Sequence, residues 1–289
     1  MAALARVVER IECLFLVAEN KQFSPEEVKA HEARLRRRWS ADISLTIAPA
    51  VRPDAPLTRW QHYGRGIFDF HSQPIARVLN NQGAVTAVAR ALQTRPNLIL
   101  VHRLSAMCAV MRTVRSIDPT PLFFDLDDIE HVAFFRRLIR HPDWPTERLM
   151  LLQTPRLLLA EIQAILLTRA TFVCSEPDRR YLSRFTGSRR LQVVPNSIPF
   201  PASVSAEPSE PLVLFVGTMS YEPNALAADM LVKEVWPTVR ARVPEARLVI
   251  AGTRPELATS YPPKDPSISF AGFVDNLGEL YSRARVVCC

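Results

Sequence analysis

The stretch of sequence that decides the fold is LVLFVGTMSYEPN, Leu212 to Asn224. Five apolar residues lead to Gly217, a polar turn follows, and Asn224 opens a segment with helical periodicity that continues to about Arg242. A strand that enters a helix through a glycine turn is the repeating unit of open parallel sheets, and such turns hold phosphates. This turn contains no glycine repeat, Lys or Arg. We therefore expect backbone amides and the helix N-terminus at Asn224 to hold any phosphate there.

The same alternation of short apolar strands and amphipathic helices runs through the whole chain, which predicts an α/β fold with parallel sheets. A capping box of Ser24 and Glu27, with Pro25 between them, marks the first clear helix start. The predicted strands are 12–18, 42–49, 97–102, 121–128, 170–175, 191–195, 212–217, 246–252, 268–273 and 285–289. The predicted helices are 1–11, 25–39, 74–93, 104–117, 146–168 with a kink at Pro155, 176–185, 224–242 and 276–284.

A segment rich in proline and serine, residues 195–211, interrupts this alternation and predicts an interdomain linker. We therefore predict two domains, residues 1–200 and 201–289. The second domain is small for an α/β domain and ends on a strand, and the first begins without a glycine-turn strand. We expect both domains to be parts of larger ones.

The overall composition excludes several classes of protein. No uninterrupted apolar run reaches the roughly 18 residues that span a bilayer, and no signal peptide is evident, so we expect a cytoplasmic protein. The five cysteines form no C-x-x-C pair, which predicts free thiols and no metal site. The net charge of +7 includes arginine clusters at 34–38, 136–140 and 179–190. They are either solvated helix faces or a surface for an anionic partner such as a membrane, and no motif favours nucleic acid.

Polar residues follow several predicted strands, where parallel sheets bind ligands. In the first domain they are His102, Arg103, Asp125, Asp127, Asp128, Ser175 and Asn196; in the second they are Gly217, Thr218, Gly252 and Arg254. His102 could share a proton with a carboxylate, or it could be a structural residue that is hydrogen-bonded at the end of its strand. The carboxylates could bind a cation or cap the next helix, and we favour the cap. Arg254 is the nearest cation to the second domain's glycine turns.

Residues 212–289 closely resemble the donor-binding domain of the group 1 (family 4) glycosyltransferases. The resemblance rests on FVG, PN, ARLVIAG and GFVDNL, in this order and with natural spacing. The segment FVCSEPDRRYL…LQVVPNSI (172–198) is similar to the end of that family's first domain, with Ser197 where the family usually has glycine. The resemblance implies a GT-B-like architecture: two Rossmann-like domains facing a cleft, the second one incomplete here.

The resemblance also implies retaining transfer of a sugar, of hexosyltransferase type, from a nucleotide-sugar to a saccharide or lipid-linked acceptor, as in polysaccharide synthesis. No cofactor or obligatory metal is implied. It suggests His102 and Asp125 as catalytic residues. Donor binding would fall to Gly217, Thr218, Asn224, Gly252, Arg254 and Val274, and the acceptor or cleft side to Arg103, Asp127, Ser175 and Asn196.

Two departures from the family pattern lead to alternative functions. A basic residue in the turn after FVG is missing, and the family's paired-glutamate segment would lie beyond Cys289. We therefore expect this chain alone to be inactive. A non-catalytic module that binds a polyanion or a protein partner is the main alternative. A sugar-nucleotide epimerase is less favoured, because residues 211–289 contain no His. A basic first domain would suit a peripheral position at the inner face of a membrane.

Overall fold

The computed structural model describes residues 7–17, 23–49, 60, 82–114, 120–140, 145–196 and 210–289. It shows α/β structure with parallel strands, as the sequence predicts. The chain divides into two compact units, Met1–Ser197 and Ile198–Cys289. This division lies three residues before the predicted boundary at residue 200. The predicted helix at 74–93 is described only from Gln82, and its earlier part lies outside the described residues.

The N-terminal unit begins with a two-stranded parallel sheet. Strand β1 (Arg10–Val17) pairs with β2 (Asp42–Pro49), and helix α1 (Pro25–Trp39) connects them. The predicted capping box is present: the Ser24 hydroxyl accepts from the Glu27 amide, and the Glu27 carboxylate accepts from the Ser24 amide. The predicted helix at residues 1–11 is wrong at its end, because Arg10 and Ile11 pair with β2.

A four-stranded parallel sheet forms the rest of this unit, in the order β3-β4-β5-β6. Its strands are β3 (Ile99–His102), β4 (Leu122–Leu126), β5 (Ala170–Val173) and β6 (Leu191–Val193). Its helices are α2 (Gln82–Leu92), α3 (Leu104–Thr113), α4 (Glu130–Arg140), α5 (Thr154–Leu167) and α6 (Glu176–Thr186). Alternate β4 residues are buried, and Phe124 packs at the centre of the core.

Helix α5 continues a 3₁₀ segment, Pro145–Gln153, and Pro155 lies in its first turn. Proline is tolerated there because the first amides of an α-helix have no partner within the helix. The combined helix Arg148–Leu167 has 20 residues and is long and apolar enough, by composition, to cross a membrane. This helix was missed from the sequence, because the signal sought there was an uninterrupted apolar run of about 18 residues. Its inward face, with Leu157, Ala164 and Ile165, belongs to the core of the unit.

The C-terminal unit has one parallel sheet in the order β10-β7-β8-β9. Its strands are β7 (Leu212–Val216), β8 (Arg247–Ala251), β9 (Ile268–Gly272) and β10 (Val286–Cys288). Helices α7 (Glu222–Met230), α8 (Trp236–Arg242) and α9 (Leu277–Arg283) complete it. Apolar clusters lie on both faces of this sheet, one around Trp236 and the other around Leu214.

One wide π-helical turn, Leu231–Val235, joins α7 to α8 where the sequence predicts a single helix. The amide of Trp236 donates to the carbonyl of Leu231, five residues earlier. Pro237 follows directly, in the first turn of α8. The Trp236 side chain is buried, and its indole nitrogen donates to the Ser267 hydroxyl at 3.0 Å.

Candidate functional site

In the N-terminal unit, polar side chains meet at the edge of the sheet where its parallel strands end. Strands β3 and β4 pair with His102 opposite Asp125, so both side chains lie on the same face. The His102 Nδ1 lies 2.9 Å from Asp125 Oδ2, and both side chains are about half exposed. A carboxylate on one ring nitrogen fixes the tautomer of a neutral imidazole and leaves Nε2 as an acceptor. The two predicted catalytic residues therefore form a pair.

Arg103 lies beside this pair in an unusual backbone conformation. Its φ of 68° is positive, which is rare for a residue other than glycine. Its amide donates to the Asp125 carbonyl at 2.9 Å, and its guanidinium donates to Asp127 Oδ2 at 3.1 Å. Backbone strain of this kind persists only where surrounding contacts fix it. Here the Asp125 and Asp127 contacts hold the arginine at the sheet edge.

Asp127 is the centre of the group. Its Oδ1 accepts from Asn196 Nδ2 at 3.2 Å and from the Cys174 thiol at 3.4 Å, while Arg103 contacts its other oxygen. The Asn196 hydrogen bond, followed by those of Cys174 and Arg103, lowers the pKa of Asp127 against the opposing effect of burial. Burial and the nearby carboxylates raise the pKa of Cys174 to about 11. The site therefore contains a carboxylate and a neutral thiol at neutral pH.

We call His102, Arg103, Asp125, Asp127, Cys174 and Asn196 the N-terminal edge cluster. Ser175 is the predicted site residue that lies at the same edge but outside these contacts. Its hydroxyl accepts from the Asp178 amide at 3.3 Å and donates to the Asp178 carboxylate, so it caps helix α6. Cys174 is a member that sequence reasoning assigned only as a buried thiol; its strand-end position was the available signal.

A buried polar network links three helices of the same unit. His131, in the first turn of α4, bonds through Nδ1 to Glu161 of α5 and through Nε2 to the Tyr181 hydroxyl of α6, the latter at 2.8 Å. The Glu161 side chain is fully buried, and that of His131 is 5% exposed. Burial raises the pKa of the preceding residue, Glu130, and nearby carboxylates, Glu161 first, add to this effect. This network ties together three helices, one of which starts beside the cluster.

In the C-terminal unit, two glycine turns pack directly against each other. A Cβ atom built on Gly252 would lie 1.8 Å from the Gly217 carbonyl oxygen, and one on Gly217 would lie 2.8 Å from the Asn224 side chain. The Gly252 amide donates to the Gly272 carbonyl at 2.7 Å. The sequence interpretation gave these glycines the role of admitting a ligand. The structure shows that the missing side chain of Gly252 admits the backbone of the Gly217 turn, and that the missing side chain of Gly217 leaves room for the Asn224 side chain.

Hydroxyl groups line the outer side of the same two turns. Thr218 Oγ1 lies 2.5 Å from Thr253 Oγ1 and 3.2 Å from the Ser220 hydroxyl, and the Met219 amide donates to the Thr253 carbonyl. In the described part of the chain, no acceptor engages the amides of Thr218 and Ser220. We call Thr218, Ser220 and Thr253 the hydroxyl turn. Three hydroxyls and two available amides can donate to an anion without any cation.

The other predicted donor-binding residues have different surroundings. Helix α7 begins at Glu222, so Asn224 lies within its first turn, where its Nδ2 donates to the Thr218 carbonyl at 3.0 Å. Arg254 has a φ of 61° and pairs with the Glu256 carboxylate. Val274 packs, half-buried, against the apolar cluster around Leu214. Asn224 thus orders the hydroxyl turn, while the charge of Arg254 is matched by a neighbour.

Among the residues that the structure describes, no group of three His, Cys, Asp or Glu side chains is arranged to hold a metal ion.

Comparison with known proteins identifies the C-terminal unit. Residues 210–289 match the family model described as "Glycosyl transferases group 1". The C-terminal unit therefore matches a group 1 glycosyltransferase domain, which confirms the resemblance found in the sequence. No curated protein sequence matches the chain.

Solved structures extend the likeness to both units. TarM aligns with a TM-score of 0.54 and 11% identity over 73% of this chain. HepE from Anabaena, in complex with UDP-glucose, aligns with a TM-score of 0.53 and 12% identity over 96% of this chain and 72% of its own. The fold is thus the α/β fold of GT-B glycosyltransferases, as predicted. The chain spans 41% of the length of TarM.

Proposed function

We propose that this chain belongs to a glycosyltransferase that takes a sugar from a nucleotide-sugar donor. The observation that carries the proposal is the hydroxyl turn, which lies at the strand ends of a group 1 glycosyltransferase domain and has two available amides. HepE, which has the same fold, is described in complex with UDP-glucose. The donor diphosphate would lie on this turn, held by hydrogen bonds from the hydroxyls and amides.

The hydroxyl turn explains how a diphosphate could be held without the usual basic residue. A phosphate oxygen accepts several hydrogen bonds, and bonds to a charged acceptor are stronger than neutral ones. The start of α7 adds the positive end of a helix dipole. The pairing of Arg254 with Glu256 reduces what that arginine adds to the local charge. The backbone and hydroxyl groups therefore take the place of an arginine or lysine.

His102 and Asp125 would act on the sugar side of the reaction. With Nδ1 bonded to Asp125, the free Nε2 of His102 can accept a hydrogen bond from a sugar or acceptor hydroxyl. Asp125 would orient the ring and stabilise any positive charge that forms on it. Arg103 is paired with Asp127, as Arg254 is with Glu256, so it would contribute hydrogen bonds to the acceptor rather than unmatched positive charge. We assign His102 the direct contact and Asp125 the positioning role.

We further propose that the reaction is hexosyl transfer with retention of the anomeric configuration and needs no metal or other cofactor. The proposed acceptor is a saccharide or lipid-linked molecule used in cytoplasmic polysaccharide synthesis. TarM with fondaparinux, alpha-GlcNAc-glycerol and UDP, at a TM-score of 0.50 and 9% identity, is a protein of this fold with saccharide ligands. An epimerase is less well supported, because all six His residues precede residue 211.

Calorimetric titration of the 289-residue chain with UDP, GDP and UDP-glucose, without divalent metal, tests the donor site. We expect one nucleotide diphosphate to bind, and Thr253→Val to weaken it roughly tenfold by removing one hydroxyl donor to a charged oxygen. Ser282→Ala, which removes an exposed hydroxyl from α9, is the matched control. If none of these nucleotides binds while heparin binds in a salt-sensitive way, the chain is a polyanion-binding module and the proposal is wrong.

A further inference from the structure

We propose that an outward-facing apolar surface on helices α4 and α5 docks the protein onto the surface of an anionic membrane. This surface consists of Phe135, Ile139, Leu149, Leu152, Leu159 and Leu166, and we call it the leucine face. It belongs to the N-terminal unit and involves neither the N-terminal edge cluster nor the hydroxyl turn. The inference is therefore independent of the proposed transfer reaction.

The α5 part of the leucine face follows from helix geometry. Leu159 and Leu166 are seven residues apart, which places them along one line of α5, and Leu152 precedes them at the end of the 3₁₀ segment. The exposed fractions of Leu152, Leu159 and Leu166 are 57%, 55% and 50%. Leu157 and Ile165, on the opposite side, are fully buried in the core. The helix is thus apolar on both sides, one side packed against the unit and the other side exposed.

Helix α4 extends this surface. Its buried residues Phe134 and Leu138 enter the same core, and Phe135 and Ile139, one turn apart, face outward. Because α4 packs alongside α5, the two rows belong to one layer of the unit. Each of the two packed helices therefore exposes apolar side chains on its outer side, and soluble monomers rarely expose large contiguous apolar patches. This arrangement points to a partner that accepts apolar side chains.

The charges around the leucine face indicate which partner. Exposed arginines flank it at Arg136, Arg140, Arg148 and Arg169. Of the acidic side chains in 130–169 whose burial is described, Glu130 is partly buried, and Glu161 is fully buried and paired with His131. The exposed side chains described around the leucine face are therefore apolar, neutral (Gln163) or positively charged. Apolar side chains bordered by arginines complement a layer of acyl chains beneath anionic headgroups.

The same observations favour docking over spanning. The helix Arg148–Leu167 passes a length and composition test for a membrane span. Insertion would remove the buried face of α5 from the core and would separate Glu161 from His131. An unpaired carboxylate at the centre of a bilayer is strongly disfavoured. If α5 instead keeps its inner face packed in the core and inserts only its outer leucines among the headgroups, the core stays intact and Glu161 stays paired with His131.

Flotation of the 289-residue chain with vesicles tests the inference. The vesicles are two parts phosphatidylcholine to one part phosphatidylglycerol, with pure phosphatidylcholine for comparison. We expect binding to the anionic vesicles that weakens with salt. Leu159→Glu with Leu166→Glu should weaken it at least roughly tenfold, because charged residues do not enter the acyl region. Arg136→Glu with Arg140→Glu should weaken it by roughly fivefold or more for each arginine.

Matched controls show whether the effect belongs to this surface. Leu226→Glu changes an exposed leucine of α7, and Arg180→Glu changes an exposed arginine of α6; both should float like the unmodified chain. Circular dichroism and thermal midpoints confirm that each variant folds. Equal flotation of the leucine variants and the unmodified chain would overturn the inference. So would a sedimentation measurement showing a dimer that the leucine substitutions dissociate while no vesicle binding occurs.

Discussion

Replacing Gly252 with alanine gives the sharpest test of how the C-terminal unit is built. Its φ of 149° is a backbone conformation that other residues rarely adopt, and the new Cβ would lie 1.8 Å from the Gly217 carbonyl oxygen. The clash involves backbone atoms on both sides, so no side-chain rotation can relieve it. The two turns would have to separate.

The loss of stability can be estimated from the contacts involved. Overpacking costs roughly 1–3 kcal/mol, and a strained backbone conformation costs a similar amount. Separation of the turns would also break the hydrogen bond from the Gly252 amide to the Gly272 carbonyl, worth about 1 kcal/mol. We therefore expect Gly252→Ala to lower the free energy of unfolding of the C-terminal unit by roughly 3–7 kcal/mol. That is a large part of the roughly 5–15 kcal/mol typical of a domain.

Gly272→Ala is the matched control. Gly272 also has a positive φ, 65°, but a Cβ there would meet no atom within 4 Å. Gly272→Ala should therefore lower the free energy of unfolding by only about 1–2 kcal/mol, the cost of placing a non-glycine residue in a left-handed conformation. Hydrogen exchange of peptides from β7 and β8, measured at increasing urea, reports the stability of this unit alone. The reasoning fails if Gly252→Ala is no more destabilising than Gly272→Ala.

Three further predictions concern the N-terminal unit and the hydroxyl turn. Because the pKa of Asp127 is lower in the folded chain than its unfolded value of about 3.9, its ionised carboxylate stabilises the fold above that pH, and this stability is lost as the pH falls through the folded pKa. In urea titrations, Asp127→Asn should therefore lower the free energy of unfolding at pH 7 and change it little at pH 3. Asp128→Asn, at an exposed carboxylate, is the control and should have little effect at either pH. Glu161→Leu alone should lower the free energy of unfolding, measured with urea, by about 3–5 kcal/mol, and adding His131→Leu should restore part of that loss. If the double variant instead loses the sum of the two single losses, the pairing of Glu161 with His131 is contradicted. Asn224→Ala should lower stability by about 1 kcal/mol in the same assay and weaken nucleotide binding; unchanged binding would show that Thr218 is positioned without it.

Local sequence signals were sufficient for the elements of the fold. Strand β2 was predicted at its observed bounds, and α1 was fixed by its capping box, because both depend on neighbours within a few residues. The glycine turns after β7 and β8 were found for the same reason. The start of α7 was placed two residues late, since Glu222 and Pro223 were assigned to the turn rather than to the first helical turn.

The site depends on distances along the chain that local patterns do not encode. The pairing of His102 with Asp125 requires β3 and β4 to be adjacent in one particular register, which only the folded sheet provides. Asn196 reaches Asp127 across 69 residues of sequence. The His131–Glu161–Tyr181 network was missed entirely, because each residue, taken alone, is an ordinary member of an amphipathic helix.

The wide turn at Leu231–Val235 has a consequence for the evolution of the chain by insertion and deletion. A π turn holds one residue more than the α-helical path it replaces. Deleting Lys233 would therefore remove the extra residue and leave a continuous α-helix, whose residues beyond the deletion would face nearly as they do now. Trp236 would still face the core and Ser267, but Pro237 would lie inside a regular helix, where its ring clashes with the carbonyl four residues earlier. The wide turn therefore lets a proline stand in this helix, and losing one residue here would remove that accommodation.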